Sequence, residues 1–171
     1  MSAAAAVADI AHGTWKLDRD RSSVEFHVRH LYGLVTVKGR FERYIGTLNL
    51  GTKPAVELNI DAASLDTKLA TRDAHLRSPD FFDVEHHPQV GFVSECATLE
   101  GNTLRVRGML HAAGKQIPLD IDATVRLVDG QPEIEAITYA DHRRLGMTWS
   151  PVGTLRAPSK LIVRGRLFRE D

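Results

Sequence analysis

Residues 71–92 read TRDAHLRSPDFFDVEHHPQVGF and concentrate the residue types that could do chemistry in this chain. The segment combines three histidines, two arginines and four acids with the adjacent pair Phe81-Phe82. Histidines and carboxylates are typical of metal centres and acid–base catalysis, whereas aromatic side chains are typical of apolar binding sites. Three interpretations are therefore open: a metal site, a catalytic cluster, or a lid over something hydrophobic.

The spacing of the histidines does not favour a metal centre. His27 and His30 are three positions apart in a stretch with the alternation of a β-strand, where such residues point to opposite faces. Adjacent His86 and His87 have the same difficulty in an extended chain. The sequence has one cysteine and no HExxH motif. We therefore predict no bound metal and no resident cofactor.

Signals for catalysis are equally weak. Asp73 and His75 are two positions apart on a predicted helix, so their side chains do not face each other. Cys96 has the strand parity of Phe92, which predicts a small core residue and not a nucleophile. No Gly-x-Ser-x-Gly elbow, P-loop or dinucleotide fingerprint is present. We predict that the chain is not an enzyme; a small-molecule enzyme that uses His75 or His30 is the alternative.

Composition indicates one globular domain. The 171 residues are 43% hydrophobic, enough for a sizeable core, and 22 basic residues balance 22 acidic ones. This balance argues against nucleic acid or an anionic membrane surface as the main partner. Residues 1–12 have no Lys or Arg and only a short Ala/Val run, so we expect a flexible leader before a domain over 13–171. With no long apolar run, we expect a cytoplasmic protein without an integral membrane segment.

The hydrophobic period elsewhere is two, as in half-buried strands. Residues 23–30, SVEFHVRH, place their apolar side chains on one face, and the run over 117–127 is the longest of this kind. Turn residues, such as Asp129-Gly130, separate the runs. Gly39 lies inside such a run and is expected to mark a bulge or bend. The pattern predicts an all-β, antiparallel barrel or sandwich.

The one helical pattern lies in the segment that carries the histidines. Asp66 or Thr67 can cap a helix near 67–78, and Pro79 can start a short turn near 79–83. On this helix Arg72 shares a side with apolar residues. Its side chain extends to the surface with its charge in water, makes a structural salt bridge, for example with Asp73 or Asp83, or contacts an anion such as a phosphate.

Several motifs together resemble the YceI-like polyisoprenoid-binding family. They lie in order over about residues 13–128, and the most specific is the RDxHLxSxxFF block. The motifs are Trp15-Lys-Leu-Asp18, Ser22-x-x-x-Phe26-x-Val28-x-His30, Val37-x-Gly39-x-Phe41, Ser64-x-x-Thr67, Arg72-Asp73-x-His75-Leu76-x-Ser78-x-Asp80-Phe81-Phe82-Asp83, Pro88-x-x-x-Phe92 and Arg107-Gly108-x-Leu110.

This resemblance to a bacterial family implies a lipocalin-like, eight-stranded antiparallel β-barrel with one short helical segment near 67–83. It also implies a long isoprenoid lipid in the lumen, a polyprenyl phosphate or pyrophosphate or a quinone, and a homodimer. A ligand-free interaction module is a further alternative. The expected ligand-binding residues are Phe26, Val28, His30, Val37, Phe41, Leu58, Arg72, His75, Leu76, Phe81, Phe82 and Phe92.

Overall fold

A computed structural model describes residues 12–30, 34–150 and 155–170, so most of the expected leader over 1–12 lies outside the described residues. One α-helix, α1 (Ala70–Arg77), interrupts a chain of strands. The strands are β1 (Gly13–Leu17), β2 (Ser23–His30), β3 (Val35–Phe41), β4 (Tyr44–Leu50), β5 (Ala55–Asp61), β6 (Leu65–Asp66), β7 (Gln89–Glu100), β8 (Thr103–Ala112), β9 (Lys115–Val128), β10 (Gln131–Ala140) and β11 (Arg156–Arg169).

These segments form a closed antiparallel barrel. The first six segments form three interrupted strands, which are β1 with β2, β3 with β4, and β5 with β6. The middle one pairs with both of the others: β4 pairs with β1 and β5, and β3 pairs with β2 and β6. The remaining strands follow in the order β7-β8-β9-β10-β11. The pairing of β1 with β11 closes the circle at eight strands. The structure thus confirms the all-β barrel with one short α-helix.

Short turns join the long strands where the sequence predicts them. Residues 101–102, 113–114 and 129–130 form the turns of the β7–β8, β8–β9 and β9–β10 hairpins. Asp129 and Gly130 both have positive φ, 51° and 78°, which is the backbone geometry that suits a tight hairpin. Inward residues alternate with outward ones along β4 and β8, so the core lies inside the barrel.

A β-bulge in β7 overturns the expected burial of Cys96. The pairing with β8 shifts by one residue between Ser94 and Cys96. Since one inserted residue reverses the faces of all residues after it, the buried positions change from Val90 and Phe92 to Ala97. Cys96 is consequently exposed, and its assignment to the core was wrong.

Gly39 accommodates an aromatic ring and is not a bulge. Its pairing with Phe26 lies within a regular stretch of the β2–β3 ladder. A Cβ atom at position 39 would lie 2.2 Å from Cζ of Phe26, so the ring occupies the space that a side chain would need. The glycine in this strand is therefore required by close packing across the ladder.

Helix α1 starts later than predicted, at Ala70 instead of position 67. Neither expected cap is used: the N-cap residue is Leu69, whose side chain makes no capping hydrogen bond. Asp66 instead accepts a hydrogen bond from the backbone N–H of Lys68 at 2.8 Å. Lys68 has a φ of 68°, in the left-handed region, so the chain cannot be helical there.

Helical turns also occur outside the predicted helical segment 67–83. Three short 3-10 helices occur among the described residues, each capped by the carboxylate of the preceding aspartate, which accepts a backbone N–H two positions on. They are Arg19–Arg21, Ala62–Ser64 and His142–Leu145. The last of these borders the interior of the barrel.

Candidate functional site

The barrel encloses a cavity of about 580 Å³. Its lining extends from Leu17 and Leu167 to Trp149 and Leu155, so it runs through the length of the interior. Most of the lining side chains are aliphatic or aromatic, and the surface that the lining presents to the cavity is almost entirely apolar. A volume in the range of small-molecule sites and an apolar wall with few polar groups suit a ligand that is mostly hydrocarbon.

All twelve residues expected to bind ligand lie around this cavity. The described structure therefore brings together the whole set, from β2, β3, β5, β7 and the segment around α1. Whether these side chains contact a ligand stays a prediction. They are Phe26, Val28, His30, Val37, Phe41, Leu58, Arg72, His75, Leu76, Phe81, Phe82 and Phe92.

Phe81 and Phe82, adjacent in the segment 71–92, pack against different aromatic partners. The ring of Phe82 packs edge-on against Phe26 and Phe41, with centroid distances of 6.0 and 5.7 Å. The turn after α1 holds it there, because the backbone N–H of Phe82 donates to the carbonyl oxygen of Leu76 at 3.0 Å. Phe81 packs against His75 instead, at 5.2 Å. The segment thus closes one side of the lumen with aromatic rings.

Arg72 is held by Thr67 and not by an acid. Its Nε donates to the Thr67 hydroxyl oxygen at 2.8 Å, and its Nη2 donates to the Thr67 carbonyl oxygen at 2.6 Å. The expected salt bridge with Asp73 or Asp83 is wrong: no ion pair of Arg72 occurs among the described residues. Arg72 lines the cavity. Because a guanidinium has five N–H donors and two of them donate to Thr67, other donors are available to a ligand.

A buried carboxylate completes this arrangement. Asp73 is 7% exposed, and its Oδ1 accepts from the Thr67 hydroxyl at 2.5 Å and from the Thr67 backbone N–H at 2.9 Å. The hydroxyl of Thr67 therefore links the carboxylate to the guanidinium of Arg72. Charge-assisted hydrogen bonds of this kind fix the start of α1, and with it the position of Arg72 at the cavity.

We call the part of the barrel where α1 meets the segment 142–149 the barrel mouth, and His75 lies at this meeting point. Its Nε2 is 2.8 Å from Asp80 Oδ2, and its ring packs edge-on against Trp149 at a centroid distance of 4.2 Å. Trp149 is 41% exposed and follows the 3-10 helix 142–145. The sequence analysis gave Trp149 no role. The feature that could have indicated one is that Trp149 is an isolated tryptophan just after Arg143-x-x-Gly146-Met147, in a stretch otherwise poor in aromatic residues.

A second polar pair was also missed. His142 and Ser159 are buried, at 8% and 7% exposure, and both line the cavity. The Nδ1 of His142 is 2.7 Å from the Ser159 hydroxyl oxygen. Burial lowers the pKa of His142, because the charged imidazolium loses its hydration. No pattern in the sequence joins these residues, which are 17 positions apart.

The other two histidines of the segment 71–92, His86 and His87, do not line the cavity. His86 is hydrogen-bonded to Asp83 at 2.9 Å, and this contact raises the pKa of His86. The ring of His87 lies against Gly114. Within the described part of the chain, no group of three or more potential ligands is arranged to hold a metal ion.

Comparison with known proteins assigns the family. A family model described as YceI-like domain matches residues 15–162, which extends beyond the motifs found in the sequence. The chain belongs to the YceI-like family. Protein YceI of Escherichia coli O157:H7 is 34% identical over 115 residues, covering 64% of this chain and 60% of that protein. A Pectobacterium atrosepticum relative, UPF0312 protein ECA1782, is 33% identical over the same length. The match thus spans about 60% of the length of these YceI-like relatives.

Solved structures share the barrel. BcnA of Burkholderia cenocepacia superposes with a TM-score of 0.81 at 18% identity, covering 89% of this YceI-like chain and 99% of BcnA. A polyisoprenoid binding domain from Saccharophagus degradans, implicated in plant cell wall breakdown, gives 0.73 at 14% identity, covering 91% and 98%. The two TM-scores establish a common fold. In the described ranges, no helix has the length and hydropathy of a membrane span.

Proposed function

We propose that this chain binds a long apolar isoprenoid-type lipid in the barrel lumen and acts as a carrier or sequestering protein. The ligand is a polyprenyl phosphate or pyrophosphate, or a quinone. The observation that carries the proposal is the cavity of about 580 Å³ with an almost entirely apolar lining. Membership of the YceI-like family and the fold shared with a polyisoprenoid binding domain support it.

Burial of hydrocarbon supplies the affinity. Each methylene transferred from water contributes about 0.8 kcal/mol, so one five-carbon isoprene unit offers about 4 kcal/mol of gross stabilisation. Association costs about 4–15 kcal/mol in lost freedom, which a few units offset. A tail therefore binds tightly with few polar contacts, and selectivity among lipids must come from tail length and head group.

We propose that the polar end of the lipid lies at the barrel mouth. A pyrophosphate buried without partners would be prohibitively unfavourable, so it must lie where charge or water can reach it. Arg72 lines the cavity and has donors beyond its two bonds to Thr67. We assign Arg72 as the phosphate contact, with His30 and His75 as assisting donors, because a guanidinium meets phosphate with parallel hydrogen bonds.

Mass spectrometry of lipids extracted from the purified protein tests the function. We expect an isoprenoid lipid in the extract, and uptake of added polyprenyl or quinone lipid by protein stripped of lipid. Ala136→Phe, which adds a ring at a lumen position, should reduce uptake. Ala55→Phe, at an exposed position at the start of β5, is the matched control.

Other outcomes separate the alternatives. An empty extract, with no uptake of either lipid class, would favour a ligand-free interaction module. Chemical turnover of an added small molecule that is lost on His75→Ala or His30→Ala would indicate an enzyme at the barrel mouth. The homodimer and the cytoplasmic location stay predictions, and light scattering of the purified protein tests the first of them.

A further inference from the structure

The pair formed by His142 and Ser159 is a polar feature that a cavity for hydrocarbon does not need. Ser159 lies opposite Ala140 in the β10–β11 ladder, and His142 begins the 3-10 helix that follows β10. Both residues are more than nine-tenths buried and line the cavity. The β10–β11 hairpin and the short helix therefore hold a hydrogen-bonded His–Ser pair against the lumen.

One ring nitrogen of this pair has no hydrogen-bond partner in the part of the chain that the structure describes. The single hydrogen bond of the His142 ring among the described residues joins Nδ1 to the Ser159 hydroxyl, at 2.7 Å. Nε2 has no partner among these residues, and it keeps accessible surface, since the one fully buried side-chain atom without a partner in the described structure is Ser22 Oγ. Because His142 lines the cavity, a group that enters the lumen can hydrogen-bond to Nε2 in place of water. An unpaired nitrogen at a cavity wall points to a ligand group that satisfies it.

We propose that His142, oriented by Ser159, is the hydrogen-bonding site for one uncharged oxygen of the ligand, a carbonyl or a hydroxyl on the head of an isoprenoid lipid. This inference rests on the proposed function and specifies its ligand. The pair orients the ring, and Nε2 contacts the ligand oxygen.

The chemistry of the pair suits a neutral oxygen of either polarity. Burial lowers the pKa of His142, so the imidazole is uncharged near neutral pH. If the Ser159 hydroxyl donates to Nδ1, then Nε2 carries the proton and donates to a carbonyl. If Nδ1–H donates to the Ser159 oxygen, Nε2 accepts from a hydroxyl. One site can therefore hold a quinone carbonyl or the hydroxyl of a quinol or prenol.

The mouth then presents two polar sites with different preferences. Arg72 on α1 provides a permanent positive charge, whereas His142 beside β10 and β11 provides a neutral donor or acceptor. The two sides meet at the contact between His75 and Trp149. We expect a pyrophosphate head to depend on Arg72 and a quinone head to depend on His142.

Binding of two probes to lipid-stripped protein tests this. The first probe is a benzoquinone with a six-isoprene tail, and the second is squalene, a hydrocarbon of six isoprene units. His142→Phe should weaken quinone binding by about 3- to 10-fold, the equivalent of one neutral hydrogen bond, and leave squalene binding within about 2-fold. His142→Gln, which restores a donor and an acceptor, should recover part of the quinone affinity. Ser159→Ala should reduce it by about 2-fold through a less well oriented ring.

Infrared spectroscopy of the bound quinone gives a readout that a purely structural role would not change. One carbonyl stretch should be lowered in the wild-type complex and return toward its value in hydrocarbon solvent with His142→Phe. Equal losses for both probes, or an unshifted carbonyl band in the wild type, would overturn the inference. If His142→Phe does not fold, the wild-type band and Ser159→Ala decide. Binding of squalene without any preference for the quinone overturns this inference alone, whereas binding of neither probe, together with no uptake of a polyprenyl pyrophosphate, overturns the proposed function as well.

Discussion

Gly39 and the ring of Phe26 offer a test of the packing that shapes the lumen. A Cβ atom at position 39 would lie 2.2, 2.5 and 2.8 Å from three ring carbons of Phe26. Favourable carbon–carbon contacts are about 3.5–4.0 Å, so Gly39→Ala forces the ring to move by about 1 Å or more. The ring is buried and packs on Phe41 at a centroid distance of 5.3 Å and on Phe82 at 6.0 Å, which restricts this movement.

The expected magnitude follows from two opposing terms. Overpacking of a core costs about 1–3 kcal/mol, whereas replacement of glycine by alanine in a strand returns about 0.5–1 kcal/mol of backbone entropy. Gly39→Ala should therefore lower the free energy of unfolding by about 1–2 kcal/mol. In a Phe26→Leu background the clashing ring atoms are absent, so the same change should be neutral or slightly stabilising. The coupling energy of the double-mutant cycle should be at least about 1 kcal/mol.

Urea denaturation of lipid-free protein measures these energies, with unchanged m-values as the check that compactness is preserved. Gly91→Ala is the matched control, because Gly91 is also inside a strand and a Cβ there would meet its nearest atom at 3.5 Å. We expect this control to be neutral or stabilising. Additive effects of the two changes at positions 26 and 39, or equal losses for Gly39→Ala and Gly91→Ala, would refute the explanation.

Three further predictions concern the ligand, the thiol and pH. Arg72→Ala should weaken binding of a polyprenyl pyrophosphate by about 10- to 150-fold and hardly affect a quinone, measured by titration of lipid-stripped protein. Phe82→Ala should weaken the binding of both lipids alike. If Arg72→Ala weakens the binding of both lipids equally, Arg72 has a structural role through its hydrogen bonds to Thr67. Cys96, exposed by the bulge, should react with a thiol reagent in the folded protein about as fast as in urea; strong protection would contradict the register shift. Because burial lowers the pKa of His142, the folded protein binds fewer protons than the unfolded chain below the ordinary value of 6.5. Its stability should be full above that pH and fall as the pH decreases, and the fall should be smaller for His142→Gln; urea midpoints at about pH 8 and pH 5.5 measure this.

The strands and their turns follow from the sequence because their causes are local. Alternation of apolar residues identifies a half-buried strand without knowledge of its partner, and Asp129-Gly130 suits a tight turn through its own backbone preferences. The motif from Arg72 to Phe82 likewise predicted a helical segment beside the lumen. Seven of the twelve expected residues lie in strands, where alternation places their side chains on the inner face; the other five belong to α1 and the turn after it, which the motif placed together.

The bulge in β7 shows where local reasoning fails. One extra residue between Ser94 and Cys96 reverses the faces of the residues that follow, and the cost of that insertion depends on the partner strand β8. The start of α1 was missed for a related reason. Thr67 can cap a helix when it is considered alone, but the buried carboxylate of Asp73 and the guanidinium of Arg72 both bind it in the folded chain.

The polar groups at the lumen were decided by tertiary structure alone. His142 and Ser159 meet because the β10–β11 register and a 3-10 helix bring them together, and His75 meets Trp149 across the barrel mouth. Periodicity in a sequence reports which face of an element is apolar, but not which elements close upon one another. The strand pattern by itself determined an antiparallel all-β chain with one apolar face to each strand, and the family motifs implied a barrel. The closure of that barrel decided which polar side chains of the described residues line the cavity.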